Sequence, residues 1–206
     1  MEEVLDVYKR PFDPKKPIVC FDERPKQLVG EIRSPISMKP GKPLRCDYEY
    51  KRNGVANIFM MFEPLAAKRH VRVTERRTKK DWAECIREMV DEIYPQAETV
   101  VLVMDNLNTH KKASLYEVFV PVEAKRIADK LEIHYTPKHG SWLNMAEIEM
   151  SVMSRQCLAA RMDNIERLED EVLAWVANRN DKDSKVDWRF TTADARIKLK
   201  KLYPTI

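Results

Sequence analysis

Val100-Val-Leu-Val-Met-Asp105 is five apolar residues closed by an acid. With no polar alternation, and too short for a helix, the run reads as a strand buried on both faces. Working outward, Pro17-Ile-Val-Cys-Phe21 has the same character and is followed by Asp22. Each carboxylate is expected at the mouth of the core, where ligands of open α/β sheets gather at the carboxyl ends of strands. One such Asp has an ordinary reading as a turn or helix cap. Two on neighbouring strands repel each other unless a cation compensates, and hard oxygen donors suit magnesium or manganese.

The surrounding elements follow from pattern. Arg45 to Tyr50 and Val55 to Phe62 read as strands joined through Asn53-Gly54, a hairpin signal. Val71 to Thr74 adds a short extended piece. Thr78-Lys-Lys-Asp81 opens a helix to about Tyr94, with Trp82, Cys85, Ile86, Met89, Val90 and Ile93 at helical spacing. Lys111 to Lys130 is helical with a break at Pro121, Leu131 to Thr136 is a strand, and Trp142 to Arg161 reads as one long helix. Helix continues to about Asn178 and again from Thr192 to Leu202. This order predicts an α/β fold whose first three strands are antiparallel and whose last two join through helical crossovers.

Composition removes the common alternatives. The 206 residues carry 37 Lys+Arg against 33 Asp+Glu, a net charge of +4, and 34% are charged, so the chain reads as a globular domain with a polar surface. Apolar runs of about five residues are too short to span a membrane, and the start has no signal-peptide pattern, so a cytoplasmic location is expected. The four glycines lie far apart, which excludes a Walker loop, a dinucleotide fingerprint and a nucleophile elbow. Cys20, Cys46, Cys85 and Cys157 lack C-x-x-C spacing, so neither structural zinc nor a disulfide framework is expected.

A third acid would complete the site, and the long helix offers Glu147 and Glu149. Two residues on a helix are about 200° apart, so only one can face the Asp pair. Leu143, Ala146, Met150, Met153 and Cys157 form an apolar stripe with the two glutamates on its opposite edges. Periodicity does not choose between them.

Val-Leu-Val-Met-Asp-Asn-Leu-Asn-Thr-His (101–110) and His-Gly-Ser-Trp-Leu-Asn-Met-Ala-Glu (139–147) resemble the DDE transposases of bacterial insertion sequences, in the mariner-like superfamily. Cys-Phe-Asp-Glu (20–23) sits where that family has its first catalytic Asp. The resemblance implies a ribonuclease H-like fold, a mixed five-stranded sheet flanked by helices. It implies Asp22, Asp105 and Glu147 as catalytic, metal-holding acids, because Asn144-Met-Ala-Glu147 fits the family's N-P-x-E offset and Glu149 does not. Met145 replaces the usual Pro. The 41 residues between Asp105 and Glu147 exceed the spacing in the best-known animal members, the extra length being expected around Glu117 to Ala128.

The same resemblance implies DNA strand cleavage followed by strand transfer. Two Mg²⁺ or Mn²⁺ ions roughly 4 Å apart would serve the entering and leaving oxygens, with Asp22 the natural bridge and no nucleotide cofactor. Asn106, His110, His139, Trp142 and Asn144 are expected to support the site. The asparagines shape turns, the histidines touch phosphate or move protons, and Trp142 anchors packing rather than stacking on bases. Lys111 and Lys138, beside the acidic motifs, and Arg76, Arg77 and Lys79 are expected to meet DNA phosphates. A homodimer on paired transposon ends is expected by resemblance alone.

Only about 17 residues precede the first strand, leaving no room for the family's N-terminal helix-turn-helix modules. The expected organisation is a lead-in at 1–16, a catalytic domain at 17–180 and a basic helical extension at 181–206. Rival readings are another ribonuclease H-like nuclease, acting on hybrids or junctions, and a non-catalytic DNA-binding remnant of a transposase.

Overall fold

A computed structural model describes residues 1–138 and 140–203. In chain order the elements are α1 (Glu2–Val7), β1 (Ile18–Glu31), β2 (Tyr50–Glu63), β3 (Lys68–Thr74) and α2 (Lys79–Glu88), with a wider turn at Met89–Ile93. Then come β4 (Val100–Met104), α3 (Lys112–Val118), α4 (Pro121–Asp129), β5 (Leu131–Tyr135), α5 (Met145–Gln156), α6 (Ile165–Asp181) and α7 (Thr192–Lys198). The strands form one mixed sheet in the order β3-β2-β1-β4-β5. β1, β2 and β3 pair antiparallel, while β1–β4 and β4–β5 pair parallel, as the element order implies.

Strand alternation splits the core into two layers. Ile18, Cys20, Met60, Val101 and Val103 face α1, α5 and α6, packing with Val4, Leu5, Met150, Met153, Leu168 and Val172. Val19, Phe21, Phe59, Leu102 and Met104 face the opposite side, against Trp82, Ile86, Leu115 and Ile127 of α2 to α4. Helix α2 begins at the expected place because Thr78 and Asp81 form a reciprocal capping box. Pro121 opens α4 at a position that needs no backbone donor.

Three expectations require correction. Asn53-Gly54 is not a hairpin turn: β2 runs continuously from Tyr50, and the pair lies where its register against β1 shifts between Gln27 and Val29. A bulge absorbs the extra residue, and Gly54 supplies the positive φ of 105° there. Asp22 does not end its strand, because β2 keeps pairing with β1 beyond the point where β4 stops. The long helix from Trp142 to Arg161 is a 3₁₀ turn (Ser141–Leu143) and then α5, which Asn144 caps at its start and which ends at Gln156. In the lead-in, α1 buries Val4, Leu5 and Val7, and Glu2 pairs with Arg196 of α7.

One outer strand has an unusual neighbour. The Asn180 side chain accepts from the Arg69 N–H at 2.9 Å and donates to the Arg69 carbonyl at 2.9 Å. No helix among the described residues is long and apolar enough to cross a membrane.

Candidate active site

The parallel ladder fixes the two aspartates. Ile18, Val19 and Cys20 pair with Val101, Leu102 and Val103; two residues further along lie Asp22, still within β1, and Asp105, just past the end of β4. Neighbouring strands lie about 4.8 Å apart. Alternation puts the Asp22 side chain on the layer that α5 covers, in line with Cys20, while Asp105 lies just past the end of β4 and meets His110.

Helix α5 is tied to this point by its cap. Asn144 is buried; its Oδ1 accepts from the Ala146 N–H at 3.1 Å, and its Nδ2 donates to the Phe21 carbonyl at 2.8 Å. That carbonyl belongs to the residue just before Asp22. The Tyr8 hydroxyl donates to the Leu143 carbonyl at 2.7 Å and steadies the same approach. Gly140 is required one step earlier, because a Cβ there would lie 2.6 Å from Pro137 Cγ. The half-buried Glu147 therefore sits in the first turn of α5, where the helix dipole favours a carboxylate.

Glu149 has a different environment. It is buried under α5, accepting from Arg69 Nε at 2.7 Å and from Arg179 Nη2 at 3.0 and 3.2 Å. Periodicity left two glutamates open, and the structure ties one of them to a pair of guanidinium groups.

The Asp22 carboxyl is pushed up to about 7 by burial and then by the charge of Glu23, with Glu147 and Asp105 adding to the effect. A hydrogen bond from the Glu23 N–H, 2.9 Å, pulls the other way. Four acids therefore share a space with little compensation. Buried His110 is the exception: its Nδ1 lies 2.5 Å from Asp105 Oδ1 and its Nε2 3.1 Å from Glu23 Oε2. Burial alone would lower the His110 pKa, but the two carboxylates outweigh it and push it up to about 9. Both oxygens stand beside the ring at ion-pair distance, off the N–H directions, and neither has a hydrogen bond among the described residues. Unsatisfied carboxylate oxygens around a buried, proton-retaining Asp fit a divalent cation with oxygen ligands. Asp22 and Glu147 stand outside the tight grouping of Glu23, Asp105 and His110.

The other expected residues are dispersed. Asn106 is exposed in the turn after β4, and Lys111 and Lys138 are exposed nearby in chain order. His139 lies outside the described residues. Arg76 and Arg77 are exposed just beyond β3, at the sheet end where Asp22 lies but two strands away. Lys79 is held by both carboxylate oxygens of Glu117, at 2.7 and 2.9 Å. Trp142 stacks on Trp188 at 6.4 Å and 16° and meets Phe190 edge-on, yet stays 42% exposed. With Glu147, Ile148, Ser151 and Arg155 it lines a groove of about 370 Å³. A cavity of about 760 Å³ lies away from the acids, between Val29–Glu31 and Ala159–Arg161.

Sequence reading assigned Glu23 no role. The signal was present: alternation turns an acid next to Asp22 onto the other layer, otherwise lined by Phe21, Phe59 and Trp82. A carboxylate in such a place needs a cationic neighbour.

Solved structures with the same fold include the Mos1 strand transfer complex, at TM-score 0.57 and 16% identity, covering 85% of this chain and 51% of that one. The Mos1 transposase paired-end complex with left transposon end matches at TM-score 0.58 and 16% identity, covering 85% and 52%. The chain thus spans about half the length of these structures, and the likeness is one of fold. No curated protein matches the chain. The DDE superfamily endonuclease model matches residues 17–169, from the entry into β1 to the opening turns of α6, and the chain belongs to that family.

Proposed function

We propose that this chain is the catalytic domain of a DNA transposase, which cleaves a DNA strand and transfers its 3′ end in a divalent-metal-dependent reaction. The observation that carries the reading is the parallel pairing of β1 with β4, which runs toward Asp22 and Asp105, beside the helix whose capped first turn bears Glu147. Family membership and the fold shared with the Mos1 complexes support it. The proposed catalytic unit is residues 17–180, with a lead-in at 1–16 and a basic extension at 181–206. It acts on paired DNA ends as a homodimer.

Asp22, Asp105 and Glu147 would hold one or two Mg²⁺ or Mn²⁺ ions, which when bound supply charge stabilisation at the attacking and leaving oxygens. Water attacks a phosphodiester phosphorus; a P–O bond forms and the bond to the 3′ oxygen breaks, releasing a 3′-hydroxyl. That hydroxyl then attacks a target phosphodiester, again exchanging one P–O bond for another, so strand transfer needs no nucleotide triphosphate. Asn144 fixes the helix that carries Glu147. Trp142 and Arg155, across the groove that opens beside Glu147, border the approach of the DNA strand. Lys111, Lys138, Arg76 and Arg77 supply positive charge for its phosphates.

The test uses DNA bearing a transposon-like end, pre-nicked or branched, with Mg²⁺ or Mn²⁺. Wild type is compared with Asp105→Asn, Glu147→Gln and Glu149→Gln, each checked for folding. Metal-dependent cleavage or joining lost in the first two variants is the expected result. Cleavage that survives Asp105→Asn or Glu147→Gln would overturn the assignment. Hydrolysis of hybrids or junctions without joining would favour another ribonuclease H-like nuclease. Metal-indifferent DNA binding without cleavage would favour a non-catalytic role.

A further inference from the structure

We propose that Glu23 and His110 are a positioning pair that holds the Asp105 carboxylate in place for divalent-cation binding, with Glu23 acting through the His110 ring. This rests on the metal-dependent reading above and deepens it.

The ring cannot easily turn. His110 is 1% exposed, stacked on Trp82 at 6.0 Å and 25°, and met edge-on by Phe21 at 5.7 Å and 87°. The Tyr135 hydroxyl donates to the His110 carbonyl at 2.7 Å, fixing the backbone as well. Nδ1 faces Asp105 twice, its Oδ1 at 2.5 Å and its carbonyl at 3.4 Å. Nε2, across Cε1 from Nδ1, has Glu23 Oε2 at 3.1 Å. Each ring nitrogen therefore has its own carboxylate at ion-pair distance.

A cation cage built from the same three residues is the competing idea. Carboxylate oxygens of Glu23 and Asp105 lie within 4.8 Å of each other and of a ring nitrogen, but only one nitrogen of a ring could face an ion, so a cage would break one of the two pairings of His110 with a carboxylate. Glu23 also lies on the opposite layer from Asp22, as alternation along β1 requires. Its side chain stands against His110 Nε2, while its N–H donates directly to Asp22 Oδ1 at 2.9 Å. One residue thus touches the first aspartate by its backbone and the second through an imidazole. Groups that orient a metal-binding side chain typically change metal affinity by about 10- to 100-fold when removed.

The experiment is a Mn²⁺ titration of the full chain followed by electron paramagnetic resonance, on wild type, Glu23→Gln, His110→Asn and Asp105→Asn. Glu23→Gln keeps the shape of the side chain, and melting without metal checks its fold. It is expected to weaken Mn²⁺ binding by about 10-fold or more. Its half-saturating Mn²⁺ for DNA cleavage should rise in parallel, while kcat at saturating Mn²⁺ stays within a few-fold of wild type. A purely structural role would lower stability without that split. His110→Asn should behave alike, and if it does not fold, Glu23→Gln decides alone. Wild-type Mn²⁺ affinity in Glu23→Gln overturns the proposal. Equal Mn²⁺ binding by wild type and Asp105→Asn would instead overturn the metal-site reading on which it rests.

Discussion

Glu147 and Glu149 stand two residues apart on α5 and meet opposite electrostatics. Glu149 is enclosed by two guanidinium groups. Arg69 also donates to the Ala67 and Ser184 carbonyls and lies 4.6 Å over the Phe62 ring, so its charge is spent within the core. On the other face, Glu147 joins Asp22, Glu23 and Asp105, where the only ion-paired cation among the described residues is His110. A saturated buried charge ties β3, α5 and α6 together. An unsaturated one leaves the fold carrying repulsion that a bound cation can relieve. Both arrangements bury acids, and what separates them is whether the chain supplies its own counterions.

The largest effect that would test this contrast is on stability. Removing one member of a buried, hydrogen-bonded ion pair costs about 3–5 kcal/mol, so Glu149→Gln should lower the urea-unfolding free energy by that order. Glu147→Gln should change it by under about 0.5 kcal/mol, as for a surface site. Equal losses in the two variants would erase the distinction.

Next comes the cation itself. Asp22 is held near 7, well above its ordinary 3.8, so the folded chain keeps that proton where the unfolded chain has lost it. The stabilising contribution is full below about pH 4 and is lost as pH rises through about 7. Above that point Asp22 is charged and uncompensated. Mg²⁺ at a hundred times its Kd should then add about 2.7 kcal/mol, several degrees in Tm. The gain should be larger near pH 8 than near pH 5.5, where a proton competes; calorimetry at both values checks it.

Asn144→Ala addresses the link between the two faces of α5. Loss of the cap costs about 1 kcal/mol, and the Phe21 carbonyl left without its donor about 1–3 more. The smallest effect concerns the outer basic residues. Arg76 has no ion pair among the described residues, so Arg76→Ala should reduce the salt slope of DNA binding by about one contact. Lys79→Ala should reduce it by less than half as much, because Glu117 already engages that ammonium.

Much of this was legible in the chain. The two apolar runs ending in acids located the central strands, because fully buried strands leave no alternation to confuse with helix. Capping residues at Thr78 and a break at Pro121 placed helices within a residue or two. Asn53-Gly54 misled because a turn and a bulge ask the same backbone freedom of glycine, and only the partner strand tells them apart. The motif offset chose Glu147 over Glu149, while what Glu149 does instead depends on Arg69, 80 residues earlier in the chain. No local period carries information over that distance. Glu23 was readable in principle, since strand alternation alone turns it toward Trp82.

The Asn180 side chain, with its paired bonds to the Arg69 backbone, does for one rung what a sixth strand would do. An uncovered outer strand is a template for the same strand of another molecule, and β3 closes one side of this sheet. A single amide at the end of α6 thereby occupies one rung of that open edge. Asn180→Ala is expected to leave the monomer folded and to speed aggregation as concentration rises, an increase that light scattering would register.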